Sequence, residues 1–189
     1  MADATQIPGA ARPGGRTART RRQVLDAVAA ILLEHGFDGL TMDAVAERSG
    51  VHRATVYRRW RDPGGLLADT VDAARELPWE PPDTGSLLGD LTAINREVVA
   101  ALTARPSIAQ ALIAASFRSP AAARALRDFW ADRYARATVV VTRAGVPGDP
   151  RDVLVAACAP VFHELALMRE PEPGDLAERY AAIAVRGSR

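Results

Sequence analysis

The sequence predicts an all-α protein of about nine helices, and three observations carry that expectation. Apolar residues recur three and four positions apart in segment after segment, as in Leu87, Leu91, Ile94, Val98 and Leu102, which lines them along one helix face. The segments are separated by glycines, prolines and cap residues, the usual start and stop signals of helices. No stretch alternates apolar and polar residues for long enough to build a sheet. Residues 138–141 come nearest, and they lie inside a helical pattern.

Residues 1–15 mix Gly, Pro and Ala with polar residues without period, which predicts a disordered arm. Thr20-Arg-Arg-Gln23 has the form of a capping box, so the first helix is expected to begin between Thr17 and Thr20. Val24, Val28, Ile31 and Leu32 are its buried stripe, and Gly36 stops it, with Phe37 and Leu40 packing beneath the next pair. Two short helices follow between Thr41 and Trp60. Asp62-Pro63 opens a fourth, with Asp as N-cap and Pro at the first helical position; Leu66, Leu67 and Val71 are its apolar residues. Three prolines and a glycine at residues 77–85 forbid a continuous helix. The chain is therefore divided there into a unit at 16–76 and a second at 77–189, with Trp79 packing on the second.

In the second unit the fifth helix is expected over about 84–104 and the sixth from Pro106 to about Phe117. Ser119-Pro120 begins the seventh, which Gly145 and Pro147 end. Asp149-Pro150 begins the eighth, which Pro160 must kink because it removes a backbone donor. The ninth runs over about 174–186.

The 189 residues are 48% apolar and 25% charged, the composition of a soluble globular protein. No apolar run is long enough to span a membrane, the N-terminus shows no export signal, and the single Cys158 excludes an intramolecular disulfide framework. Together these predict a cytoplasmic protein without a membrane partner. The net charge of +1 hides an asymmetry: residues 1–62 carry +3 and the remainder −2. Arg12 to Arg22 holds five arginines and no acid, so positive charge gathers near the short helical pair, where phosphates would be attracted.

That pair meets the packing needs of a helix-turn-helix. Thr41 can cap the first helix, Val45 falls on its apolar face, and small Ala46 permits close approach. Gly50 supplies the left-handed turn. Val56 and Trp60 are spaced i, i+4 and turn inward. Ala54, Tyr57 and Arg58 then point out, with Arg53 and Thr55 on the flanks. Such a helix fits the major groove of DNA, where an arginine fork can bond both acceptors of a guanine. Arg12, Arg16 and Arg19 are candidates for a basic arm along phosphates or in the minor groove. The competing reading is a solvated basic face that binds nothing.

The sequence resembles the tetracycline-repressor-like (TetR/AcrR) family of bacterial transcription regulators. The resemblance is carried by Gly36-Phe37, Thr41 with Val45-Ala46, Gly50-Val51, residues 55–60 and Leu66-Leu67, and covers about residues 20–70. The second unit resembles the family in its number of helices and in the Pro-Val-Phe-His run at 160–163. The resemblance implies a phosphate contact at Thr41 and base-reading positions at His52, Arg53, Ala54 and Tyr57, with Arg58 a further candidate. It implies a phosphate clamp at Arg59, aided by Thr55. The family usually carries a Lys early in the fourth helix, where this chain has Pro63. Arg61, or the free N–H groups that begin that helix, are the two candidates to replace it.

The resemblance also implies a homodimer through the eighth and ninth helices, binding a palindromic DNA operator. Apolar residues on more than one face of those helices agree: Val153, Leu154, Val155, Phe162 and Leu165, and then Leu176, Tyr180 and Ile183. It further implies a small-molecule effector, apolar or aromatic, whose pocket candidates are Ile94, Val98, Ile113, Phe117, Phe129, Trp130, Tyr134 and Phe162. Asn95, Arg133 and His163 are its polar candidates. Ordinary core packing is the competing reading for each of these.

No catalytic residues, metal site or cofactor are expected. His163-Glu164 starts like a zinc-protease motif, but Leu167 stands where the second His belongs. Three histidines and one cysteine are too scattered for zinc. Two hypotheses remain: a ligand-responsive repressor, and an all-helical small-molecule-binding or interaction protein without DNA binding, which the missing lysine favours.

Overall fold

The structure is a computed structural model that describes residues 14–169 and 174–188. Among these residues it contains α1 (Gly14–His35), α2 (Met42–Ser49), α3 (Arg53–Arg59), α4 (Pro63–Arg75), α5 (Leu87–Thr103), α6 (Ile108–Ser116), α7 (Pro120–Arg143), α8 (Pro150–Phe162), a π turn (His163–Leu167) and α9 (Leu176–Gly187). No strand occurs among them.

Helix ends follow local chemistry. The Thr41, Asp62, Ser86, Ser107, Ser119 and Asp149 side chains each accept an N–H from the first turn of the helix they precede. Gly50 ends α2 at φ 66°, where a side chain would be strained.

The sequence expectations need four corrections. First, α1 starts at Gly14, so Thr20 sits inside the helix and cannot cap it. Nothing between 15 and 20 breaks a helix, and the extension is largely solvent-facing. The expected arm at 1–15 lies outside the described residues up to position 13; Gly14 and Gly15 are already helical. Second, α5 begins at Leu87, because Thr84 folds back to give both its N–H and its hydroxyl to the Asp90 carboxylate, each at 2.7 Å. Third, Ser107 rather than Pro106 opens α6. Fourth, the disturbance expected at Pro160 comes three residues later, as a π turn, and α8 itself runs through Pro160 to Phe162. Lacking an N–H, Pro160 is followed by wider i+5 bonding, with the Met168 N–H donating to the His163 carbonyl at 2.9 Å.

Three buried clusters hold the chain together. One joins α1 to α4 with α6 and the start of α7, through Val24, Val28, Val45, Val56, Trp60, Leu66, Leu112 and Ala122. The second joins α5, α7, α8 and α9 around Leu91, Val140, Leu154 and Ala181. The third, around Leu102, Val161, Leu165 and Leu176, closes the far end of α5 and α8. The first cluster crosses the expected boundary, so the N-terminal unit is seated on α6 and α7. That seat is tight: a Cβ on Gly64 would lie 2.8 Å from the Ser119 hydroxyl. Arg118 adds an ion pair with Asp38 at 2.7 Å. Trp79 packs on the second unit, with its Nε1 donating to Glu97 at 2.8 Å and the Arg133 guanidinium 4.1 Å from its ring centre.

Candidate nucleic-acid interface and effector cavity

The α2–α3 hairpin turns one face in and one face out. Val45 and Val56 are wholly buried, and Ala46 and Trp60 nearly so. Anchored by these, α3 exposes Arg53, Ala54, Tyr57, Arg58 and Arg59, with Thr55 half-buried at its edge. His52 precedes the helix as its N-cap, its Nδ1 accepting the Ala54 N–H at 3.3 Å. In the neutral ring that leaves Nε2 as the donor facing outward. Thr41 is exposed, and its oxygen accepts the Ala44 N–H at 3.1 Å; its own hydroxyl proton remains available to an acceptor.

Arg53 and Tyr57 converge on an acid that sequence reasoning did not single out. Asp43 Oδ1 lies 2.9 Å from Arg53 Nε and accepts the Tyr57 hydroxyl at 3.0 Å. The Arg53 guanidinium also lies 5.2 Å from the centre of the Tyr57 ring. Asp43 sits in the first turn of α2, three residues before Ala46, and only the crossing angle of the two helices brings it to α3.

Behind this cluster, Thr55, Arg58 and Arg59 share a hollow of about 390 Å³ with Thr17 and Thr20 of α1. Hydroxyls and guanidinium groups at the rim of a shallow hollow suit a backbone phosphate. Arg59 also stacks its guanidinium 5.1 Å from the Trp60 ring centre. Thr17 and Thr20 were not found from sequence, because the helix was expected to begin between them, with Thr20 as its cap.

Of the two candidates to replace the missing lysine, the N-terminus of α4 is the less suited to a phosphate. The Asp62 carboxylate already occupies it, accepting the Gly65 N–H at 2.9 Å, and Pro63 has no N–H to offer. A phosphate there would meet a negative charge. Arg61 is exposed and close by in the chain.

Trp60 also links the hairpin to α4. Its Nε1 donates to Asp69 Oδ2 at 2.8 Å, while Asp69 Oδ1 accepts from Arg21 Nε at 2.9 Å and Nη2 at 2.6 Å. Arg21 bonds Glu76 as well, at 2.6 Å. Hydrogen bonds to Asp69 and then Glu76 raise the Arg21 pKa further above its ordinary value, so the guanidinium is always charged. One carboxylate thus ties α1, the end of α3, and α4.

Two residues beyond Asp69, Val71 and then Ala74 form part of the wall of a cavity of about 170 Å³. Val98, Ile113, Phe129, Trp130 and Phe162 line it too. Trp130 meets Phe129 and Phe162 edge-on, with ring centres 5.1 and 5.0 Å apart. Three of the expected pocket residues lie elsewhere. Ile94 is buried in the cluster of α5, α7, α8 and α9. Phe117, 79% exposed, and Tyr134 line an open groove of about 820 Å³ outside the cavity. Ile94 and Val98 are one turn apart, and the sequence could not show that they fall in two different buried clusters.

The polar candidates separate as well. Asn95 is fully buried and gives its two amide protons to the Ala157 and Ala177 carbonyls at 3.1 Å each; it ties α5 to α8 and α9. Arg133 is spent on Trp79, and its burial lowers its pKa. His163 is exposed on the groove. Cys158 is buried, which pushes its thiol up to about 12.

The apolar residues of α8 and α9 are also used differently from expectation. Val153, Leu154, Leu165 and Leu176 are buried within the subunit, and Val155, Phe162 and Tyr180 are half-buried. Of the eight, Ile183 is exposed, at 46%. The reason is that α8 is packed by α5, α7 and α9 at once. The exposed side of α8 is made of Arg151, Asp152, Ala156 and Ala159.

Comparison with known proteins agrees with this geometry. Residues 24–70 match the family described as "Bacterial regulatory proteins, tetR family", and residues 81–184 match "Tetracyclin repressor-like, C-terminal domain". The chain is 34% identical over 137 residues to the HTH-type transcriptional regulator AqdR of Rhodococcus erythropolis, covering 71% of this chain and 65% of AqdR. It spans between 43 and 65% of the length of such curated relatives, for example 43% of YdeS of Bacillus subtilis. The fold superimposes on the TetR-family regulator SCO0332 with a TM-score of 0.65 at 28% identity, covering 89% of this chain and 98% of that one. It superimposes on the SmeT–triclosan complex with a TM-score of 0.61 at 25% identity, covering 90% of each chain. Matched in both its hairpin-bearing and its C-terminal parts, the chain belongs to the tetR family of bacterial regulatory proteins.

Proposed function

We propose that the protein is a ligand-responsive transcriptional repressor that binds a palindromic operator as a homodimer in the bacterial cytoplasm. The observation that carries this is the outward face of α3, where Arg53, Tyr57, Arg58 and Arg59 are exposed beside an inward Val56 and Trp60. His52, Arg53, Ala54 and Tyr57 read base edges, with Arg58 beside them. Thr41, Thr55, Arg59 and Arg61 hold phosphates.

Release follows from the position of α4. Its Asp69 holds Trp60 at the end of α3, and its Val71 and Ala74 wall the cavity. A molecule that swells the cavity displaces α4 and, through Asp69, changes the separation of the two α3 helices in the dimer. DNA then binds the unliganded state better, and by linkage the ligand binds the DNA-free state better. The carbon-lined cavity favours a small apolar or aromatic effector; the SmeT structure, with triclosan bound, supports effector binding within this fold. Val98, Ile113, Phe129, Trp130 and Phe162 are the contact residues, and Phe117 and Tyr134 stand at the outer groove.

The dimer forms through α8 and α9. Asp152, Ala156 and Ile183 border one hollow between them, and the small alanines allow a second copy to approach closely. A mobility-shift titration against duplexes recovered by random-sequence selection tests the proposal. A shift by wild type that weakens steeply with salt and needs markedly more protein in Arg53→Ala supports it. Failure to shift any palindromic duplex refutes it and leaves the all-helical binding protein without DNA affinity.

A further inference from the structure

We infer that Asp43 is a positioning residue for operator reading. Its carboxylate holds Arg53 and Tyr57 in one pose and opposes their capture by phosphates, so that discrimination between operator and other DNA depends on it. The inference rests on the DNA-binding reading above.

Asp43 Oδ1 is shared by Arg53 Nε at 2.9 Å and the Tyr57 hydroxyl at 3.0 Å. The Arg53 Nη2 also reaches the Tyr57 oxygen at 3.4 Å, and the guanidinium lies over the Tyr57 ring. A single acceptor therefore fixes two side chains on successive turns of α3. The guanidinium is held by its Nε, and one Nη2 proton goes to Tyr57, which leaves Nη1 and the other Nη2 proton as the fork that can bond the two acceptors of a guanine. Two long side chains that would otherwise search many rotamers arrive already ordered, so less freedom is lost on binding.

The carboxylate also acts by its charge. It stands on the face that carries His52, Arg53, Tyr57 and Arg58, where phosphates approach. To grip a phosphate on arbitrary DNA, Arg53 must leave Asp43 and bring an anion toward an anion. Reading a base edge with the Nη fork requires no such separation. The Asp43 and Arg53 side chains are 53% and 65% exposed, so the pair adds little to folding stability. A plain structural role competes with this one, since a carboxylate in the first turn of α2 favours the helix N-terminus.

The test uses the full chain with Asp43→Asn, Asp43→Ala and Asp43→Glu. The probes are a duplex recovered by selection with wild type and a scrambled duplex of equal length, titrated by fluorescence anisotropy over a salt series. The expected result is a fall of about tenfold in the operator-to-scrambled affinity ratio for Asp43→Ala and a smaller fall for Asp43→Asn. Most of the fall comes from tighter scrambled binding, with a salt slope steeper by about one, as for one more phosphate contact. Asp43→Glu, which keeps the charge, retains most of the ratio. An unchanged ratio with a lowered melting temperature would show that Asp43 serves only the helix end. Equal gains on both duplexes would show that it merely masks charge. Either result overturns the inference, and Asp43→Asn, which keeps the size and the acceptor for Tyr57, supplies it should Asp43→Ala fail to fold. Wild type that prefers no duplex refutes the underlying DNA-binding reading instead.

Discussion

Arg53 and Arg59 sit six residues apart on α3 and, under the proposed function, in which the first reads a base and the second holds a phosphate, are expected to fail differently when removed. Arg53→Ala deletes a base-reading fork, so it costs about 1–3 kcal/mol on the operator and relaxes preference at one position of each half-site. Arg59→Ala deletes a phosphate contact, so it weakens all sequences alike and lowers the salt slope by about one. Anisotropy titrations on matched and mutated duplexes separate the two. Cys158, with its thiol pushed up to about 12 by burial, should stay unlabelled by thiol reagents in the folded protein and react once urea unfolds it. At this scale the exposed side of α3 was readable, because the inward pair of Val56 and Trp60 determines which residues are left outside. Asp43 was not. Its role depends on how α2 crosses α3, and spacing along the chain carries no information about that angle. Thr17 and Thr20 were hidden for a different reason: a local cap pattern was overridden by a helix that simply continues upstream.

Among the elements, α4 stands between the hairpin and the cavity. Asp69→Asn keeps an acceptor for Trp60 but removes the charge that holds Arg21. It should cost roughly 1–2 kcal/mol in urea unfolding, a figure reduced for the partial exposure of the pair, and weaken operator binding several-fold. At the other end of α5, Asp90 is buried against Thr84 and Arg143, with Arg143 Nη2 at 2.6 Å. Burial works against its ionisation, but the Thr84 N–H, the Thr84 hydroxyl and Arg143 outweigh it and hold the carboxyl below its usual range. A lowered folded-state pKa stabilises the protein at neutral pH, and that contribution is lost as pH falls through it. Asp90→Asn should therefore destabilise by roughly 1–3 kcal/mol at neutral pH, with the gap to wild type closing as the pH is brought below the ordinary aspartate range. Urea melts at neutral and at acid pH check this. Helix existence was legible from apolar spacing and Ser-Pro or Asp-Pro starts. The displaced start of α5 was not, because Asp90 reaches back to Thr84 and overrides the local pattern.

For the whole molecule, the proposed release mechanism makes occupancy of the small cavity walled by α4 to α8 a lever on the N-terminal unit. Ile113→Trp should fill the cavity, so that small aromatic compounds that stabilise wild type give no thermal shift and no longer change the affinity for the selected duplex. Which residues line that cavity was only partly readable, since Ile94 and Val98 share a stripe yet face different neighbours. The surplus apolar surface of α8 and α9 was overestimated for a related reason: three other helices already cover it. The central claim is that two copies of α3 read two half-sites together. It is tested most directly by random-sequence selection with wild type, followed by anisotropy with the spacing between half-sites varied. The account predicts an inverted repeat whose half-site centres lie about 34–36 Å apart, one DNA turn, bound by two chains and lost when half a turn is inserted. Binding of equal strength to all spacings, or selection of no repeated half-site, would contradict it.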